Sequence, residues 1–263
     1  MLRLGLDMRL RWAYSWRTLP STDARIPQPK AWPMSDDPPP FEPPVNPLPV
    51  VVIILFLLVA GVELVLSAGE AGLVGGPSAI GWRLGLVRDW GFNGDLFDAM
   101  WAQGYFPPEH LARLITYPFI HLSFTHALIA VVLMLALGKM AAEVMGQLAM
   151  LALFVLSGIG GALVYALLLN DPVWLVGAYP PVYGLIGGYS FLMWRRLGAS
   201  GGRQMEAFTL ILMLMGLQLV WSLFASVGYG WVAELAGFFC GFALCFICAP
   251  GEWARILARL RQR

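Results

Sequence analysis

Six apolar stretches of about twenty residues, separated by polar turns, decide what this chain can fold into. They lie near 48–68, 119–142, 148–169, 181–196, 207–225 and 231–248. A helix rises about 1.5 Å per residue, so each stretch is about the length that crosses a ~30 Å hydrocarbon layer. The backbone of a chain in lipid must satisfy its own hydrogen bonds, and helices do this within one segment. Over 263 residues the chain is 59% hydrophobic and 13% charged, a balance that excludes a soluble globular class. The expectation is an all-α membrane protein with six transmembrane helices and the lipid bilayer as its surroundings. A net charge of +1 supplies no basic footprint for nucleic acid, and none is expected as a partner.

The flanks differ from this core. Residues 1–47 carry Pro27, Pro29, Pro33, Pro38, Pro39, Pro40, Pro43, Pro44 and Pro47, and read as a disordered or extended cytoplasmic arm. The membrane domain is expected over 48–250 and a basic cytoplasmic tail over 251–263. The arm has no apolar core of a cleavable signal, so the first membrane helix is expected to serve as the targeting signal. Of the 17 Lys and Arg residues, only Arg83, Arg88 and Arg113 fall on the side opposite the termini. Positive charge marks the cytoplasmic face, so both termini are expected there, and the 69–112 loop and the 177–181 turn on the outer face. Within that loop, 82–90 looks amphipathic, and Trp82, Trp90, Phe92, Phe97, Trp101, Tyr105 and Phe106 suit a membrane–water interface. Cys240, Cys245 and Cys248 share one apolar segment and read as packing residues, not disulfides or ligands.

The most informative stretch is Gly177-Ala178-Tyr179-Pro180-Pro181-Val182-Tyr183-Gly184-Leu185-Ile186-Gly187. Paired prolines are excluded from a helix interior but suit its first turn, where their missing N–H groups would be orphaned anyway. The glycines that follow give this helix a narrow face for close packing, the mark of a central helix in a membrane bundle. Gly237 and Gly241 form a second such face, four residues apart on the last helix, opposite Gly184 and Gly187.

These pieces, taken in order, resemble the rhomboid family of intramembrane serine proteases. Arg113 lies where the family's first loop carries an arginine. Phe119-Ile120-His121-Leu122-Ser123-Phe124-Thr125-His126 resembles the histidine-bearing start of the second helix, and Gly138, Glu143 and Gly146 its closing turn. Ala233-Glu234-Leu235-Ala236-Gly237-Phe238-Phe239-Cys240-Gly241 is similar to the sixth helix. The resemblance covers about 48–250 and implies a six-transmembrane-helix rhomboid fold with a long interfacial loop between helices 1 and 2.

It also shows what this chain lacks. In the family a serine before the fourth helix attacks the peptide carbonyl and a histidine on the sixth takes its proton. Tyr179 stands at the serine position, Pro180 at the following glycine and Glu234 at the histidine; Ala130 replaces the asparagine that helps to hold the oxyanion. A phenol of ordinary pKa ~10 is bulky where a small hydroxyl must reach a carbonyl. Losing one oxyanion donor alone costs on the order of 10²–10³ in rate. Ser123, Ser157, Ser190, Ser222 and Ser226 have no histidine at a useful spacing. Ser200, in Gly198-Ala199-Ser200-Gly201, reads as a turn in an Arg-rich cytoplasmic loop. His110, His121 and His126 lack a third ligand, so no metal and no cofactor is expected.

The resemblance therefore implies a catalytically inactive bacterial rhomboid of the inner membrane, with Tyr179 and Glu234 at degenerate dyad positions. His126, Tyr183, Gly177, His121 and Arg113 are the expected binding or positioning residues. Inactive members of the superfamily bind transmembrane clients, so the expected partners are transmembrane helices of client proteins, bound without cleavage through a gate between helices 5 and 2. The alternative is an active intramembrane serine endopeptidase with an unusual site. Glu234 is expected to bond Tyr179, His126 or water, and Glu63 to snorkel toward the interface.

Overall fold

A computed structural model of the protein describes residues 47–169, 171–222, 228–249 and 251. The arm expected over 1–47 and the tail expected over 251–263 lie outside the described residues, apart from 47 and 251. So does the expected end of the fifth helix at 223–225.

The first long helix, α1 (Val50–Glu70), starts behind Pro49, whose carbonyl accepts from Val52 N at 3.0 Å. The long loop after it is built of short helices: α2 (Trp82–Trp90), α3 (Gly94–Gln103), α4 (Pro108–Leu111) and α5 (Arg113–Thr116). Next come α6 (Phe124–Met145), α7 (Gln147–Leu168), α8 (Tyr179–Ser200), α9 (Thr209–Ser222) and α10 (Gly230–Cys248). The sole β feature among the described residues is an isolated antiparallel bridge between Phe92 and Leu175.

Four of these helices, α1, α6, α7 and α10, have the length and composition to cross a membrane. Their outer faces carry exposed Leu57, Leu58, Leu128, Val132, Leu156 and Phe239, as lipid contact requires. The tyrosines, prolines and glycines of α8 make it less apolar, although at 22 residues it is equally long. It is buried at the centre, packed mainly against α10 and α7. The apolar run Gln204–Val220, which includes most of α9, is shorter than a full span.

Backbone contact explains the central position of α8. A Cβ on Gly241 would collide with the Gly184 carbonyl, one on Gly237 with the Pro180 carbonyl, and one on Gly187 with the Phe238 carbonyl. A Cβ on Gly184 would strike Ser157 Oγ of α7. Helices approach this closely only through small residues.

Three local expectations are corrected. Phe92 and Phe97 do not sit at an interface; they are buried with Met100, Tyr117, Tyr165 and Leu175. Ser200 belongs to the last turn of α8, its Oγ donating to Leu197 O at 3.1 Å, and Gly201 beyond it takes the left-handed φ of 71° that ends the helix. The second long helix starts at Phe124, because Pro118 keeps the preceding residues in a 3-10 turn and Ser123 caps α6 by accepting from His126 N at 3.2 Å.

Candidate site at the head of the central helix

The segment leading into α8 is held on several sides. Phe92 and Leu175 exchange backbone bonds of 3.0 and 2.8 Å, and Asn93, which caps α3, also donates to Pro172 O at 3.0 Å. Asp171 is buried and accepts from Tyr165 Oη at 2.8 Å. Gly177 has a φ of 103°, reached easily only by glycine, and its N–H donates to Tyr117 O at 3.0 Å. A Cβ there would lie 2.8 Å from His126 Cε1, so Gly177 is what lets His126 approach the chain.

His121 and His126 form an edge-to-face pair 5.3 Å apart. His121 is fully buried, and its Nε2 accepts from Ala178 N at 3.2 Å. An accepting Nε2 places the proton of the neutral ring on Nδ1. Burial, reinforced by the neighbouring His126, pulls the His121 pKa down to about 4, so the ring is neutral at pH 7. His126 Nδ1 accepts from Leu122 N at 3.4 Å, and its ring stacks on Tyr179 at 4.8 Å and 17°.

Tyr179 starts α8, and its hydroxyl donates to the His126 carbonyl at 3.2 Å. The expected pairing of Glu234 with Tyr179 or His126 does not form. The Glu234 carboxylate accepts from Gln218 Nε2 of α9 and faces the Tyr183 hydroxyl. Tyr183 lies one turn along α8 from Tyr179. The N–H groups of Gly177 and Ala178 are both engaged, and Pro180 and Pro181 have none. This turn therefore has few donors left for a developing oxyanion.

Arg113 braces the loop. Its Nη1 donates to Arg88 O at 2.7 Å and Gly91 O at 3.0 Å, and its guanidinium stands 5.3 Å over the Trp174 ring.

A cluster that the sequence reading missed supports the histidines from behind. Glu63 does not snorkel. It is 3% exposed and paired with Arg83 of α2 at 2.9 Å. Arg83 also binds Glu70 at 2.6 Å and donates to the His121 carbonyl at 2.7 Å. The hydrogen bonds it donates to Glu70 and then to Glu63 hold its pKa far above the ordinary guanidinium value. A carboxylate inside a membrane helix requires a partner; that requirement was the available signal. The partner's place, 20 residues on in a loop helix, depends on how the loop folds.

An apolar cavity lies between α9 and α10. It encloses about 500 Å³, with Gln218 in its wall.

Helices long and apolar enough to cross a membrane pack around a glycine-lined central helix, with a polar site at that helix's head. The chain matches the Rhomboid domain over residues 108–251, more than half of its length, and belongs to the rhomboid family. A search of curated proteins found no match.

Proposed function

We propose that this rhomboid-family protein is a pseudoprotease that binds transmembrane helices of client proteins without cleaving them, in membrane-protein assembly or quality control. The observation that carries the reading is the occupation of both dyad positions. Tyr179 spends its hydroxyl on the His126 carbonyl, and Glu234 is turned to Gln218 and Tyr183. A nucleophile must lie within hydrogen-bond reach of its base, and neither residue is so placed. The prolines at 180 and 181 act in the same direction by removing backbone donors. The Lys and Arg distribution supports both termini in the cytoplasm, and the resemblance to bacterial rhomboids together with this topology supports the bacterial inner membrane.

The test is fluorophosphonate labelling and cleavage of a model transmembrane substrate by purified full-length protein. It is run beside the triple variant Tyr179→Ser, Pro180→Gly, Glu234→His. Silence from the native chain, with labelling gained in the variant, is the expected result. A cleavage product from the native chain that disappears in Tyr179→Phe or Glu234→Gln would overturn the proposal in favour of an active protease.

A further inference from the structure

The cavity between α9 and α10 is long, apolar and open on one side. Leu212, Met215, Gly216 and Leu219 recur at helical spacing along α9, and Trp231 and Leu235 stand one turn apart on α10. At about 1.5 Å of rise per residue, Leu212 and Leu219 are about 10 Å apart along the helix axis. Leu212, Leu219 and Trp231 are exposed, so the cavity opens away from the bundle, where a spanning chain meets lipid. A Cβ on Gly216 would meet nothing within 4 Å, whereas one on Gly184, Gly187, Gly237 or Gly241 would collide with a neighbour. Among the described elements, α9 packs chiefly on α8 and on the turn Gln204–Phe208 before it.

The chemistry of the wall narrows what can fill this space. Gln218 offers it little, because its Nε2 donates to Glu234 and its Oε1 is buried within the protein. The other lining side chains are apolar except Trp231, whose indole N–H donates and cannot accept. An ordered water typically makes about three hydrogen bonds, and this wall offers it one side-chain donor. A helix about 10 Å across would need roughly 800 Å³ over the same length, more than the cavity of about 500 Å³ provides. That volume is one of a small-molecule site. The slender apolar molecule that a membrane supplies is a lipid acyl chain, and its glycerol ester brings the acceptor that the indole lacks. Trp231 stands in the first turn of α10, a helix of spanning length, at the depth where indoles meet the headgroup region.

We propose that the α9–α10 cavity is a lipid site that seats an acyl chain of one membrane glycerophospholipid. The chain lies along α9 in the notch at Gly216, and its ester carbonyl accepts from Trp231 Nε1. The lipid takes the place of side-chain packing between α9 and α10. This site is separate from the head of α8 and does not rest on the client-binding reading above.

The experiment titrates purified full-length protein in detergent with a phosphatidylcholine that carries a diazirine midway along one acyl chain. Irradiation and peptide mass spectrometry then locate the adducts. Labelling at 212–219 and 231–235 is expected to saturate and to be displaced by unlabelled diester phosphatidylcholine. Labelling at the exposed Leu57 and Leu58 of α1 should rise without saturating. Gly216→Phe, which fills the notch, should lower cavity labelling about tenfold and leave that of α1 unchanged. Gly216→Ala leaves the notch open and should bind as the native chain does, which guards against a folding defect. Trp231→Phe keeps a ring without the N–H and should weaken binding about fivefold, the scale of one hydrogen bond. A diether analogue, lacking the carbonyl, should compete about fivefold less well than the diester for the native chain and equally for Trp231→Phe. Labelling of the cavity that saturates no better than that of α1 would mean bulk lipid contact only and overturn the site. Displacement of the probe by a leucine-based transmembrane peptide would assign the cavity to a helix and overturn it too. Equal competition by diether and diester on the native chain would overturn the Trp231 contact. None of these results bears on whether the head of α8 cleaves.

Discussion

Arg83 and Glu63 form an ion pair buried on both sides, their side chains 7% and 4% exposed, between a loop helix and the first membrane helix. Arg83 carries that pairing on to Glu70 and to the His121 carbonyl, so one guanidinium ties α1, α2 and the approach to α6 together. Removing one member of a buried pair leaves the other charge without compensation. Arg83→Leu should therefore lower stability by about 3–5 kcal/mol. Glu63→Leu in the same chain should restore part of that loss, and thermal unfolding in detergent of the two single variants and the double variant measures the coupling.

His121 makes the fold sensitive to acid. Its pKa is about 4 in the folded protein against about 6.5 in the unfolded chain. Between these values the unfolded chain binds the proton and the native state does not, so stability rises with pH across this window. The contribution is complete above about 6.5, falls as pH drops toward about 4, and amounts to roughly 3 kcal/mol. We predict a falling Tm between pH 7 and pH 5, and a shallower slope in His121→Asn. An unchanged slope would assign the acid sensitivity to other groups.

The glycines differ in kind. Gly187→Ala forces a methyl group into the Phe238 carbonyl and the Phe242 N–H, neither of which can swing aside. A loss of about 1–3 kcal/mol is expected from such overpacking. Gly61→Ala, on α1 with no neighbour within 4 Å, should be neutral or stabilising by up to about 1 kcal/mol. Equal effects of the two would contradict the backbone contact between α8 and α10.

Tyr165→Phe removes the donor to the buried Asp171 carboxylate while keeping the ring. Asp171 shapes the turn before α8 by also accepting from Val173 N at 3.1 Å. The expected cost is about 1–3 kcal/mol, the penalty of an unsatisfied buried acceptor. Faster amide hydrogen exchange at 173–177 would report the loosened turn.

The helical core was legible because membrane spans and glycine faces are local properties: length, apolarity and spacing specify them. Even the start of α8 at the prolines follows from one rule about missing N–H groups. The partners of single polar residues were not legible. Glu63 announced a need, but Arg83 answers it only once α2 has folded against α1. Glu234 takes Gln218 because α9 passes beside α10, and sequence spacing says nothing of how two helices lean. Phe92 and Phe97 looked interfacial as aromatics in a loop, yet the Phe92–Leu175 bridge turns that part of the loop inward.

The contact of α8 and α10 through bare backbone separates scaffold from chemistry. Neither Tyr179 nor Glu234 belongs to the glycine seam of Gly184, Gly187, Gly237 and Gly241. The side chains at 179 and 234 can thus be exchanged without touching that seam. The close packing of α8 on α10 therefore sets where a group at 179 or 234 stands without depending on its chemistry.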